Sequence, residues 1–309
     1  MGTLLTAPDA PTDLAREVPL APFTTIRVGG LADAACTAGG VRQVVAALAW
    51  ARRNEMPVAV VGKGSNLLID DAGFRGLVLR LVGHLTGISV RRREVWCGGG
   101  ASLPRAVQRV AAHGLTGLEF GASIPGTAGG AVAMNAGAYG TEVKDVLTWA
   151  VICDADGHRV VGPADLEFAY RHSAVGQEQV VALAGFAVEP GDAATITARM
   201  AEYRTHRRTT QPQGVRTFGS VFTNPPGEGA GRLLEAAGCK GMRMGDARFS
   251  PKHANFIEAG PEATTADVVA LMAEGRRRVR AAGGPILEPE VRYLHPTLGM
   301  IRTPLPELS

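Results

Sequence analysis

Apolar residues in the first quarter of the chain recur at a helical spacing in one segment and form short continuous runs in several others. The helical spacing covers residues 41–54 and predicts an amphipathic helix. Apolar runs at residues 58–61, 67–69 and 77–81 predict buried strands. Together they predict a compact α/β unit in which GKGSN, residues 62–66, forms a turn at the end of a buried strand, a common place for a ligand.

The middle of the chain predicts a second α/β unit, in which Tyr170 and Arg171 close a short helix. Its predicted elements are a hairpin at residues 87–97, a helix at 102–113 with Ser102 as N-cap, strands at 146–153, 159–161 and 180–188, and the short helix at 164–169.

The rest of the chain predicts a third unit, and residues 1–19 predict a loosely ordered leader. A helix at 193–208 and a loop at 209–219 precede the third unit. The predicted elements of the third unit are helices at 230–237 and 264–282 and strands at 254–257 and 291–294. The arginines at 276–278 and 280 predict a solvated face near the end of a helix.

One stretch, Gly121–Gly140, is unusually poor in side chains, because 12 of its 20 residues are glycine or alanine and no full charge follows until Glu142. Glycine allows backbone to approach a ligand closely and leaves amide N–H groups free to face an anion. The pattern favours a phosphate-bearing cofactor, with a purely structural glycine-rich turn as the alternative. GKGSN supplies a second small-residue turn for the same extended ligand.

Composition excludes several classes of function. A net charge of +3 gives no reason to expect a nucleic-acid or membrane-surface partner. The N-terminus lacks the pattern of a secretory signal, and no apolar run approaches the roughly 18 residues that span a bilayer. Four widely spaced cysteines favour a reducing compartment, and seven histidines show no metal-ligand spacing. We therefore expect a cytoplasmic enzyme without a metal.

Common cofactor and hydrolase motifs are absent. The chain contains no G-x-G-x-x-G between a strand and a helix, no P-loop and no G-x-S-x-G. A cofactor would therefore be held by something other than the usual dinucleotide fold.

Four polar residues are candidates for chemistry or ligand binding, and each has a simpler structural interpretation. Arg171 could bind a substrate carboxylate through both arms of its guanidinium or could be a surface arginine. Ser220 could donate a proton or be a turn hydroxyl, and Glu290 could be a buried acid or lie on the surface. Lys240 could complement a helix dipole or bind a diphosphate.

In their order along the chain, these motifs resemble the UDP-N-acetylenolpyruvoylglucosamine reductase (MurB) family from about residue 20 to residue 293. The matching blocks are PFTTIRVGG (22–30), VGKGSNLL (61–68), GLEFGASIPGTAGGAVAMNAGAYG (117–140), YRHS (170–173), TQPQGVRTFGSVFTNP (210–225), AGCKG (237–241), SPKHANFI (250–257) and LEPEVR (287–292). The short span from Tyr170 to Val188 resembles the shorter subtype, which lacks a tyrosine-bearing substrate loop.

The resemblance implies an α+β fold with a two-lobed FAD-binding module of the vanillyl-alcohol-oxidase (PCMH) type and a C-terminal α/β substrate-binding domain. The expected boundaries are residues 20–86 for the first lobe, 87–205 for the second and 206–289 for the substrate domain, with the tail 290–309 packing on the first lobe. The implied ligands are FAD, NADPH and a UDP-sugar substrate. The implied oligomeric state is a monomer.

The implied reaction has two halves: NADPH reduces FAD, and flavin N5 then gives a hydride to C3 of an enolpyruvyl group. By resemblance, Arg171 polarises the substrate carboxylate, Glu290 assists, and Ser220 protonates C2. Tyr170, Asn224, Lys240 and His253 are the implied substrate-binding residues. The implied cofactor-binding residues are Gly62, Lys63, Gly64, Ser65, Asn66, Leu67, Ser123, Ile124, Pro125, Gly126, Gly129, Gly130, Asn135, Gly137 and Ala138.

Two departures from the family pattern, Asp246 and the bulky Arg248, leave local substrate contacts open. A flavin oxidoreductase with another substrate and a non-catalytic binding relative are the competing interpretations. Retention of Arg171, Ser220 and Glu290 argues against both.

Overall fold

Helices and strands alternate along residues 10–307, which are the residues that the computed structural model describes. The α-helices are α1 (Val41–Arg53), α2 (Leu103–Ala112), α3 (Ala128–Ala133), α4 (Ala193–Thr210), α5 (Ala230–Ala236) and α6 (Thr265–Ala281). The first ten strands are β1 (Ala15–Pro19), β2 (Leu31–Ala38), β3 (Val58–Val60), β4 (Leu67–Ile69), β5 (Phe74–Leu81), β6 (Ile88–Val90), β7 (Glu94–Gly98), β8 (Leu115–Thr116), β9 (Gly137–Ala138) and β10 (Thr141–Glu142).

The remaining strands complete a mixed α+β content, as predicted. They are β11 (Leu147–Asp154), β12 (Gly157–Val161), β13 (Val180–Ala187), β14 (Glu189–Pro190), β15 (Arg216–Thr217), β16 (Arg243–Met244), β17 (Ala247–Phe249), β18 (Ile257–Ala259), β19 (Arg292–His295) and β20 (Gly299–Arg302). Among residues 10–307, no helix combines the length and apolar character needed to cross a bilayer.

Contacts divide the chain into two units that are each internally packed. The first unit contains Asp33–Gly62, Arg75–Thr197 and residues 10–17. The second contains Val18–Ala32, Lys63–Phe74 and residues 198–307. The expected division into two FAD lobes and a substrate domain remains a prediction.

The first unit is built on two sheets, with strand orders β1-β2-β5-β3 and β12-β11-β13-β7-β6. Helix α1 buries Val44, Ala47, Leu48 and Ala51, which recur at the spacing of one helix face. These side chains share a core cluster with residues of β5 and β11 such as Leu77. The amphipathic pattern therefore predicted the helix.

The second unit packs α6 against β4, β17 and α5. Val268, Leu271, Met272 and Val279 of α6 belong to one apolar cluster, together with residues of those elements such as Phe249. Strand β4 pairs in parallel with β19, which forms an antiparallel hairpin with β20. A separate four-stranded sheet has the order β15-β18-β17-β16.

The N-terminus of α6 is fixed by a turn that follows β4. Both carboxylate oxygens of Asp71 accept helix amide N–H groups, from Thr265 and Ala266, at 2.9 Å each. The Thr265 hydroxyl donates to the Ile69 carbonyl at 2.5 Å. An anion at a helix N-terminus satisfies amide groups that have no partner within the helix and complements the helix dipole.

Several predictions about local structure are wrong. Residues 15–19, predicted as part of an irregular leader, form strand β1; residues 1–9 lie outside the described part of the chain. The strand predicted at 254–257 begins only at Ile257, because the preceding residues form a turn. The short helix at 164–169 is a 3₁₀ turn that ends at Leu166, so Tyr170 and Arg171 do not close a helix.

The prediction that the arginines of α6 form a solvated face is wrong for Arg276. Its side chain is only 13% exposed and lies 3.9 Å from a carboxylate oxygen of Glu288. Nη1 also donates to the Pro306 carbonyl at 3.0 Å. The C-terminal segment therefore covers this position of the helix.

We expect Asp71→Ala to lower the free energy of unfolding by about 1 kcal/mol, because two amide N–H groups of α6 lose their acceptor. Urea unfolding with an unchanged m value would measure this loss. Glu262→Ala is the matched control: its side chain is exposed, so a change within about 0.5 kcal/mol is expected. Equal effects of the two substitutions would contradict the capping role.

Candidate active site

The GKGSN turn is shaped by close backbone contacts within the second unit. Gly64 has φ of +60°, and a Cβ atom at this position would overlap the Phe23 carbonyl. Only glycine therefore fits this position without strain. Within residues 10–307, the amide N–H groups of Gly64 and Asn66 have no protein acceptor, so both can face a ligand.

Ser65 and Asn66 connect this turn to two distant segments. The Gly219 N–H donates to the Ser65 carbonyl at 2.9 Å, and the Arg292 N–H donates to the Asn66 carbonyl at 3.1 Å. The Asn66 side-chain amide donates to the Glu290 carbonyl at 3.1 Å. Leu67 is the first residue of β4. Its side chain is buried, so it supports the turn from the protein interior rather than facing solvent.

Ser220 directly follows Gly219, whose N–H donates to the Ser65 carbonyl. It is half-buried between Phe218 and Phe222, both almost fully buried, and the Glu290 N–H donates to the carbonyl of neighbouring Val221 at 2.9 Å. Within the described chain, the Ser220 hydroxyl has no hydrogen-bond partner. The second unit therefore brings together two of the three predicted catalytic residues and part of the GKGSN turn.

The first unit offers a second group of amide donors. A Cβ atom on Gly62 would lie 2.7 Å from Oγ1 of Thr127, so Gly62 packs directly on the N-cap of α3. Within residues 10–307, the N–H groups of Gly62, Gly126 and Thr127 donate to no protein acceptor. Lone amide donors of this kind are suited to a phosphate.

Two predicted phosphate donors are used by the protein itself. The Gly129 N–H donates to the Gly99 carbonyl at 2.8 Å, and the Gly130 N–H donates to Thr127 Oγ1 at 3.3 Å. A Cβ on Gly129 would come within 2.9 Å of two carbonyl oxygens. Close packing therefore requires a glycine at position 129, and a role for either residue in cofactor binding remains a prediction.

The remaining predicted cofactor residues of the first unit have mixed placements. Ser123 is buried at the end of a 3₁₀ turn, and Ile124 and Pro125 follow it. Gly137 and Ala138 form β9 and pair with β10. Asn135 is fully buried and is hydrogen-bonded within the protein at both ends of its amide, to Glu142, Ala169 and Lys144.

Arg171 lies in a tight turn between Ala169 and His172, whose backbone groups exchange hydrogen bonds of 3.1 and 3.2 Å. Its φ of +56° is unusual for a residue with a side chain. Nη2 donates to the Gly137 carbonyl at 3.1 Å, and the guanidinium lies 4.8 Å from the ring of half-exposed Tyr170. The side chain is 21% exposed, so it is not a simple surface arginine.

The predicted substrate-binding residues Asn224, Lys240 and His253 lie around α5 in the second unit. Asn224 Oδ1 accepts the Ala230 N–H at 3.0 Å, which caps the helix. Lys240 Nζ donates to Glu235 Oε1 at 2.7 Å. Burial lowers the pKa of His253, and the charge of Lys240 lowers it further.

The two departures from the family pattern have structural roles. Arg248 makes two hydrogen bonds to Glu258 Oε2, at 3.0 and 2.7 Å. Asp246 Oδ2 accepts the Glu262 N–H at 3.0 Å. Both residues stabilise the β16–β18 region.

Sequence reasoning missed Thr127 and Glu142 as parts of these clusters. Thr127 carried a weak signal as a possible N-cap before a small-residue helix. Glu142 carried a clearer one, since it is the first charge after the glycine-rich stretch. It contacts Asn135, Lys144 and Arg171.

The residues present fit FAD. Unpaired amide N–H groups in each unit are suited to a diphosphate, and the small side chains around them let a large flat ligand approach the backbone. Among the described residues, no three His, Cys, Asp or Glu side chains are grouped to hold a metal. The four cysteines are buried free thiols, and burial raises the pKa of Cys36 and Cys97 to about 12.

Comparison with known proteins matches both parts of the chain to defined families. Residues 32–162 match the family described as FAD binding domain. Residues 211–294 match the family described as UDP-N-acetylenolpyruvoylglucosamine reductase, C-terminal domain. The chain is 47% identical over 279 residues to the UDP-N-acetylenolpyruvoylglucosamine reductase of Anaeromyxobacter dehalogenans (strain 2CP-C), which covers 90% of this chain and 85% of the relative.

Other relatives and solved structures agree. The protein of the same name from Acidiphilium cryptum (strain JF-5) is 44% identical over 277 residues, 89% of each chain. The crystal structure of UDP-N-acetylenolpyruvylglucosamine reductase (MurB) from Thermus caldophilus superposes with a TM-score of 0.79 at 36% identity, covering 89% of this chain and 97% of that one. 6-Hydroxy-D-nicotine oxidase from Arthrobacter nicotinovorans, at 13% identity and a TM-score of 0.54 over 92% of this chain and 88% of that one, shares the fold. The chain belongs to the UDP-N-acetylenolpyruvoylglucosamine reductase (MurB) family of FAD-dependent oxidoreductases.

Proposed function

We propose that this chain reduces the enolpyruvyl group of UDP-N-acetylglucosamine enolpyruvate to give UDP-N-acetylmuramate for peptidoglycan synthesis, with NADPH as the reductant. The names of its relatives support the substrate class. The observation that carries the chemistry is the placement of Ser220. Its hydroxyl has no protein partner within residues 10–307, and backbone hydrogen bonds tie its neighbours to Ser65 and Glu290.

FAD, when bound, supplies the transfer of a hydride to C3 of the enolpyruvyl group. The amide N–H groups of Gly62, Gly126 and Thr127, all in the first unit, would hold its diphosphate. In the second unit, the N–H groups of Gly64 and Asn66 are likewise available to an anion. These donors belong to rigid turns, so they need little reorganisation when the ligand binds.

Ser220 donates the proton that C2 receives. A serine hydroxyl is a weak acid, so it serves here only because the enolate that forms at C2 is strongly basic. The alkoxide left behind needs stabilisation by fixed donors close to Ser220. The burial of Phe218 and Phe222, which flank Ser220 in the sequence, fixes the backbone that carries this hydroxyl.

Arg171 binds the substrate carboxylate, and Glu290 assists. Negative charge spreads from C2 onto that carboxylate during the reaction, so a fixed guanidinium stabilises the transition state more than the ground state. A planar fork binds a carboxylate at two points, which a lysine ammonium cannot do. The Gly137 carbonyl and the Tyr170 ring limit the orientations of this fork.

The UDP-sugar is held by Tyr170, Asn224, Lys240 and His253. Lys240 already pairs with Glu235, so a diphosphate would exchange one anionic partner for another. The side-chain nitrogen of Asn224 has no acceptor among the described residues, which leaves it to the ligand. The proposal also includes that the protein is a monomer and that it divides into the two cofactor lobes and the substrate domain expected from the sequence.

Ser220→Ala should leave the reduction of the flavin by NADPH nearly intact but slow its reoxidation by substrate at least about 100-fold, because the proton donor is lost. Stopped-flow absorbance of the flavin measures each half-reaction separately. Thr223→Ala is the control, since it removes a nearby hydroxyl that donates to the Glu288 carbonyl. Equal slowing of both half-reactions in Ser220→Ala would refute the proton-donor role.

His253 should titrate below its ordinary pKa of about 6.5, because burial disfavours the imidazolium. With the folded-state pKa lowered, the contribution of His253 to stability is fully present above pH 6.5 and is lost as the pH falls through the folded-state value. NMR titration of the imidazole, assigned with His253→Gln, gives the midpoint. A midpoint above 6.5 would contradict this reading.

A further inference from the structure

Asn135 is the centre of a hydrogen-bond network in the first unit. It is fully buried, and its side-chain nitrogen donates to Glu142 Oε2 at 3.0 Å and to the Ala169 carbonyl at 2.9 Å. Its Oδ1 accepts the Lys144 N–H at 3.0 Å. A buried amide with these three contacts is held in one orientation, because losing any of them would leave a buried polar group unpaired.

The Glu142 carboxylate is fixed by this network. Oε2 also accepts from Lys144 Nζ at 2.8 Å, and the side chain accepts the Asp145 N–H of the following 3₁₀ turn. Oε1 lies 4.0 Å from Arg171 Nη1, which is too long for a hydrogen bond but close for two opposite charges. Glu142 is only 19% exposed, so solvent screens this attraction incompletely.

The same network fixes the backbone that carries Arg171. The Ala169 carbonyl, which Asn135 binds, is one end of the turn that places Arg171 at φ of +56°. The guanidinium then donates to the Gly137 carbonyl at 3.1 Å. Asn135 therefore acts on Arg171 twice: through its backbone turn and, by way of Glu142, through its charge.

We propose that Asn135 and Glu142 are positioning residues that orient the Arg171 guanidinium for the substrate carboxylate; this inference rests on the function proposed above. Glu142 Oε1 lies 4.0 Å from Nη1 and attracts the guanidinium. Lys144 Nζ holds the other oxygen of the same carboxylate at 2.8 Å, which fixes the carboxylate in place. The arrangement holds the direction of the fork.

The test is a double-mutant cycle of Glu142→Gln and Arg171→Lys, with flavin reoxidation by UDP-N-acetylglucosamine enolpyruvate as the readout. In the wild-type background, we expect Glu142→Gln to lower kcat/KM for this substrate roughly 10- to 100-fold, as a misplacement of about 1 Å can do. Reduction of the flavin by NADPH should change by less than about 3-fold, because it does not use the substrate carboxylate.

In the Arg171→Lys background, the effect of Glu142→Gln should shrink to less than about 2-fold, since no planar fork is left to orient. The same fold-loss in both backgrounds would indicate a purely structural role and would overturn the inference. Glu142→Asp keeps the charge and should recover part of the loss; a loss as large as that of Glu142→Gln would also overturn it.

Glu94→Gln is the matched control. Glu94 is a carboxylate of the same unit that accepts from Trp96 and Thr148. The kcat/KM of the Glu94→Gln variant should stay within about 3-fold of wild type, because Trp96 and Thr148 are not partners of Arg171. A loss equal to that of Glu142→Gln would show that any carboxylate change in this unit disturbs the enzyme, which overturns the inference.

Arg171→Lys alone separates the two levels of the proposal. Near-normal turnover in this variant refutes the carboxylate-binding role of Arg171, whatever Glu142→Gln does. Impaired Arg171→Lys with normal Glu142→Gln refutes only the positioning role. Asn135→Ser removes buried hydrogen bonds on which folding depends, so neither outcome is judged from that variant.

Discussion

The hydrogen bonds of Ser65 and Asn66 are the constraint on which the second unit depends. These adjacent residues bind the backbone at Gly219, Glu290 and Arg292, and Asn66 and Glu290 are 224 positions apart in sequence. Parallel pairing of β4 with β19 continues the same junction. Contacts of such long range have a cost in loop-closure entropy, so the surroundings of the proposed proton donor depend on several distant segments packing together.

Much of this arrangement could be predicted from local pattern. Helices α1 and α6 have long apolar stripes and clear boundaries, and their bounds agree with prediction to within one or two residues. The glycine-rich stretch and GKGSN indicated a phosphate ligand because amide N–H groups need no particular side chain to bind an anion. Placement of the catalytic roles depended on resemblance, since neither Ser220 nor Arg171 has a distinctive local signal.

Prediction failed where tertiary contacts decide local structure. Residues 254–257 look like a strand, but the Asn255 side chain bonds both the N–H and the carbonyl of Phe222 and holds a turn instead. Arg276 looks solvated until the C-terminal segment covers it. The packing requirement at Gly129 was likewise invisible in the sequence, because it comes from the carbonyls of Gly99 and Val181. None of these partners is near in sequence.

The left-handed backbone of Arg171 has an evolutionary consequence. Glycine would adopt φ of +56° without steric cost, whereas a residue with a Cβ atom loses about 1 kcal/mol or more there. Selection for thermal stability alone would therefore favour glycine at this turn. In the role proposed above, Arg171 would make this turn a place where the chain gives up stability for activity. Consensus or directed stabilisation of this enzyme should exclude that turn.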